Sequence, residues 1–68
     1  NDFFKIDFNS NNTLETVQIF NLTGKLIKEI AINANKGQLI IQNDWPAGNY
    51  IANMIFEGEV FQEILVKK

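Results

Sequence analysis

An all-β fold is what this sequence predicts, and three observations carry the prediction. Six short apolar or alternating runs succeed one another at roughly 8–12-residue spacing. Clusters of turn-forming Asn, Gly, Ser and Pro separate them. The chain has 68 residues, which is room for one small domain with one hydrophobic core. Together these point to an antiparallel sandwich or barrel of six to seven short strands.

Residues 3–8 make the first predicted strand. Phe4, Ile6 and Phe8 share one face, and Lys5 and Asp7 lie on the other with Phe3, the period-two alternation of a half-buried strand. Asn9-Ser10-Asn11-Asn12-Thr13 predicts a turn, because these side chains compete for the backbone and tolerate left-handed conformations. Residues 16–22 place Val17 and Ile19 on one face and Phe20 and Leu22 on the other; apolar residues on both faces predict a central strand. Thr23-Gly24 then turns the chain into residues 25–32. Leu26, Ile27 and Ile30 would also fit a helical face. Strand is the better reading, because isoleucine is a poor residue for a short helix and a two-residue connection suits a hairpin.

Asn33-Ala34-Asn35-Lys36-Gly37 predicts a second break before a short strand over residues 38–42. Asn43-Asp44-Trp45-Pro46-Ala47-Gly48 is the strongest punctuation in the chain. Pro46 fixes its own φ and removes a donor, and Gly48 permits a positive φ. Residues 49–56 set Tyr50, Ala52, Met54 and Phe56 on one face against Ile51, Asn53 and Ile55 on the other. Glu57-Gly58-Glu59 is a tight hairpin turn. Residues 60–67 form the last predicted strand, with Ile64 and Val66 on one face and Phe61 and Leu65 on the other.

Composition narrows the function classes. Apolar residues make up 46% of the chain and charged residues 21%, which is globular rather than disordered. The net charge is −2, and all six basic residues are Lys, so the clustered basic footprint of a nucleic-acid binder is missing. No apolar run exceeds three residues, Leu39-Ile40-Ile41 being one, whereas a membrane helix needs about 20; no membrane insertion is predicted. The absence of His and Cys removes the Ser–His–Asp triad, thiolate chemistry and the commonest metal ligands. No cofactor or metal site is predicted: Asp2, Asp7 and Asp44 are scattered, and Glu57 and Glu59 read as a charged hairpin tip that discourages edge-to-edge aggregation. A Ser–Lys pair built on Ser10 is compatible with the composition, but Ser10 sits in an asparagine-rich stretch that reads as a loop.

Two further patterns have everyday readings. Trp45 and Tyr50 would suit a sugar-stacking platform, and a carbohydrate-binding or adhesive β-sandwich module is the alternative function. Their other role is core packing at the turn, which a small chain needs because each large aromatic hides roughly 150–250 Å². Asn11-Asn12-Thr13 and Asn21-Leu22-Thr23 match the glycosylation acceptor pattern, as chance allows in a chain with this much Asn.

The ordered landmarks resemble one family. Val17-Gln18-Ile19-Phe20-Asn21-Leu22-Thr23-Gly24-Lys25 is similar to its first hairpin, and Leu39 and Ile41 to a short strand. Trp45-Pro46-Ala47-Gly48-Asn49-Tyr50 is similar to its corner, Gly58 to its turn, and Ile64-Leu65-Val66-Lys67-Lys68 to its ending. The chain thus resembles the type A C-terminal sorting domain of type IX secretion (Por secretion) cargo proteins of Bacteroidetes. It departs in having Trp45 where Leu is usual, and in opening at Asn1-Asp2-Phe3, where a Pro-Asn-Pro element would have just ended.

The resemblance implies an immunoglobulin-like β-sandwich, a single sorting domain over residues 1–68 of a larger secreted protein. It implies a non-enzymatic export signal that is read by outer-membrane translocation machinery after passage through the periplasm. A sortase-like peptidase then removes it, leaving the cargo at the cell surface or outside the cell. The carry-over places recognition at Gly48, Tyr50, Lys67 and Lys68, with Gly24, Trp45, Pro46 and Gly58 as structural turn and corner residues. Open sheet edges in so small a domain also predict weak homo-association.

Overall fold

A computed structural model describes residues 3–68; Asn1 and Asp2, where the chain departs from the family's opening element, lie outside the described residues. Four antiparallel strands form one sheet: β1 (Phe3–Phe20), β2 (Leu26–Gln42), β3 (Gly48–Phe56) and β4 (Glu59–Lys67). Their spatial order is β2-β1-β3-β4, so β1 is central and β2 and β4 are the edges.

The all-β class is as predicted, but the count and layering are corrected. The expected six to seven short strands in a two-sheet sandwich become four strands in one sheet, because neither asparagine-rich segment ends its strand. Residues 9–13 lie inside β1 and residues 33–37 inside β2, opposite one another. Asn9 pairs with Lys36 and the next pair is Leu14 with Ala34, so β1 carries three more residues than β2 between these two pairs. A second register shift falls between Leu14 and Thr16. Such bulges bend and twist a strand without ending it. Ser10 Oγ accepts the Asn12 N–H at 3.1 Å within the bulge, and Asn33 takes a φ of 57° across from it. Turn-forming residues therefore mark a corner in two continuous strands rather than two loops.

The corner folds the sheet over itself. Residues 4 and 20 of a straight β1 would stand about 50 Å apart, yet the longest extent of the molecule is 33 Å. Phe4 instead lies 6.2 Å, ring centre to ring centre, from Tyr50 of β3, which is no ladder neighbour of it. The bulges also switch the inward face from even residues (Phe4, Ile6, Phe8) to odd ones (Val17, Ile19), with Leu14 fully buried at the change.

The core lies between the folded arm and β3. Leu14, Val17, Ile19 and Ala52 are wholly hidden, joined by Ile6, Ile41, Tyr50, Met54, Phe56 and Leu65. Phe4, Phe8, Ile27, Ile30, Ile32, Leu39 and Trp45 pack around them half-buried. The predicted inward face of β3 is the observed one, residue for residue. The segment that also fitted a helix is strand, paired to β1 from Phe20–Leu26 onward.

Candidate functional site

Residues 43–50 leave β2, turn, and enter β3. Three short-range effects shape this corner. Asn43 folds its amide back on the chain: Nδ2 donates to the Ile41 carbonyl at 3.3 Å and Oδ1 accepts the Trp45 N–H at 3.4 Å. Pro46 then holds φ near −65°. Gly48 follows with φ 144°, in territory that side chains with a Cβ rarely enter; open space surrounds the missing Cβ, so the constraint there is conformational rather than steric.

Tyr50 closes the corner from inside. Its ring is buried in the core, and its hydroxyl donates to the Pro46 carbonyl at 2.5 Å, four residues back. The same device, a tyrosine at a strand start tying back the preceding turn, is known from Greek-key sandwiches. Trp45 lies 5.3 Å from Tyr50 and 6.3 Å from Phe4, tilted against each, so three rings from β1, the turn and β3 form one cluster. Trp45 is half-buried in that cluster rather than spread over an exposed face. Its contacts with Phe4 and Tyr50 are those of core packing.

The last strand is fastened to the corner. Gly48 pairs with Lys67 at the end of the β3–β4 ladder. The Lys67 ammonium donates to Asn43 Oδ1 at 2.6 Å and to the Asn43 carbonyl at 3.3 Å. One cation thus satisfies two oxygens of a residue 24 positions earlier, a charge-assisted pair stronger than a neutral one. Lys68 follows beyond β4 and is exposed.

The structure therefore brings Trp45, Pro46, Gly48, Tyr50 and Lys67 together, with Lys68 beside them. Gly24 sits at the same end of the sheet. It belongs to the turn after β1, where φ of 88° suits glycine and Asn21 organises the backbone. Asn21 Oδ1 accepts from the N–H groups of Thr23 and Lys25 at 3.0 Å and from Thr23 Oγ1 at 2.7 Å. Gly58 is elsewhere. It forms the two-residue β3–β4 turn with Glu57 at the opposite end of β3, about 25 Å away, where the Glu57 N–H donates to the Thr13 carbonyl at 2.9 Å.

Two members of the site were not singled out by the sequence as site residues. Asn43 counted only as turn punctuation and Phe4 only as core. An Asn two residues before an aromatic-Pro turn signals an Asx-type start, but nothing local signals its long-range partner Lys67. No group of three or more His, Cys, Asp or Glu side chains is gathered for a metal among the described residues.

A scan against protein-family models matches the secretion system C-terminal sorting domain over residues 1–68, the whole chain. The same comparison with curated proteins and with solved structures finds no match.

Proposed function

Because the chain belongs to the family of secretion system C-terminal sorting domains, and so is a sorting signal for export by type IX secretion, we propose that the machinery reads the locked corner and the end of β4 as one surface. Gly48 and Tyr50 shape that surface and Lys67 and Lys68 supply its charge. The reading continues the family's route: recognition at the outer membrane after periplasmic transit, then removal by a sortase-like peptidase, with the cargo secreted or left at the cell surface. The observation that carries it is the double hydrogen bond from Lys67 to Asn43. It supports a composite surface because two segments far apart in sequence are held in fixed relation, which a short linear signal would not need. Catalysis has no role in this reading.

A reporter fusion tests it. An inert fluorescent protein with a general export signal is joined to these 68 residues and expressed in a strain with a working type IX machine and in one without. Reporter outside the outer membrane is expected in the competent strain alone, and deletion of Lys67 and Lys68 abolishes it while the fusion stays folded by protease resistance. Equal retention of an intact, folded fusion in both strains overturns the export reading. Export that survives the deletion removes Lys67 and Lys68 from the recognised surface.

A further inference from the structure

We propose that the free edge of β4 takes a second copy of this chain, antiparallel and centred on Gln62, to make a continuous eight-stranded sheet. Beyond the charges of Glu59, Glu63 and Lys67, the edge lacks the usual protective devices. β4 pairs with β3 through nine successive residues without a register shift, contains no Pro, and directs every second N–H and C=O away from the sheet. Val60, Phe61, Ile64 and Val66 are all more than half exposed along it.

The outward face of the sheet identifies the partner. Cross-strand pairing arranges it in rows that run from β2 to β4. One row is polar: Glu29, Gln18, Asn53, Gln62. Its first link is made, Gln18 Nε2 donating to Glu29 Oε2 at 2.8 Å. Apolar rows flank it, Phe20–Ile51–Ile64 on one side and Ile55–Val60 with Thr16 on the other. A strand that completes these rows must present an amide between two apolar residues at two-residue spacing. Val60-Gln62-Ile64 of a second copy does so when the axis passes through Gln62. Gln62 then faces Gln62, and Val60 faces Ile64 twice. Moving the axis one residue to Glu63 would oppose two carboxylates and set Gln62 against Ile64.

A further observation favours this register. The Asn53 side-chain oxygen is buried with no hydrogen-bond partner and lies directly across from Gln62. A Gln62 side chain held by its twin is placed to donate to that oxygen, extending the amide row across both copies. The proposal is independent of the export reading and needs no secretion machinery.

Single cysteines test it cleanly in a chain that has none of its own. Directly opposed positions come within about 4.5–5.5 Å between Cβ atoms, near the disulfide range. Under mild oxidation Gln62→Cys is expected to cross-link about tenfold faster than Glu63→Cys or Val66→Cys. Sedimentation equilibrium of the unmodified chain shows a mass rising with concentration, and Gln62→Glu, which opposes two carboxylates at the axis, returns it to monomer with an unchanged circular dichroism spectrum. Equal cross-linking at the three positions, faster cross-linking at Glu63→Cys, or a Gln62→Glu variant that associates like the parent overturns the proposal.

Discussion

The two ends of β4 are built on opposite principles. At the Lys67 end, backbone geometry, three aromatic rings and a charged hydrogen bond converge on residues 43–50. At the Val60 end the strand is held by its ladder with β3 and by one aromatic contact, the Phe61 ring 5.7 Å from Phe56 and nearly perpendicular to it. The difference teaches where this small domain concentrates its stability. A chain of this length buries too little to be rigid throughout, so one corner is over-determined while the strand leaving it keeps its apolar side chains in water.

Substitutions sharpen that contrast when ranked by effect. Tyr50→Ala is the most damaging, since it empties a buried ring site in the middle of the aromatic cluster and removes the bond to Pro46. A loss of about 3–5 kcal/mol is expected, enough to unfold a marginal domain, and chemical denaturation with circular dichroism should find no native baseline. Gly48→Val comes next at about 2 kcal/mol, because φ of 144° excludes a branched side chain; a shift in denaturation midpoint without change in slope checks it. Lys67→Met should cost about 1 kcal/mol, as the half-exposed ammonium leaves two Asn43 oxygens to water. Amide exchange at Trp45 should then rise while exchange in the core of β3 stays unchanged. Val60→Thr, at the exposed end, should stay within about 0.5 kcal/mol. A Val60→Thr effect larger than that of Lys67→Met would erase the comparison.

Much of this was legible in the residues, for identifiable reasons. The two faces of β3 follow from strict alternation over Tyr50, Ala52, Met54 and Phe56, and the corner from Pro46 and Gly48. The strand count was not legible. Asparagine-rich composition marks irregular backbone, but it does not say whether the ladder stops there or bends through. Here Leu14, buried between the two register shifts, holds β1 together across the bulge. The site was half legible for a similar reason. Gly48 and Tyr50 carry local signals, whereas the pairing of Lys67 with Asn43 depends on how β3 and β4 run back along the sheet, which no local pattern encodes.

The bond between Lys67 and Asn43 also has a meaning in time. A ribosome releases Asn43 twenty-four residues before Lys67, and the corner waits that long for its last donor. A nascent or truncated chain that reaches only β3 can tie Tyr50 to Pro46 and Asn43 to Trp45 but lacks the Lys67 donor, so its corner is looser than that of the full four-stranded sheet. The corner reaches its final shape only once synthesis has run through β4.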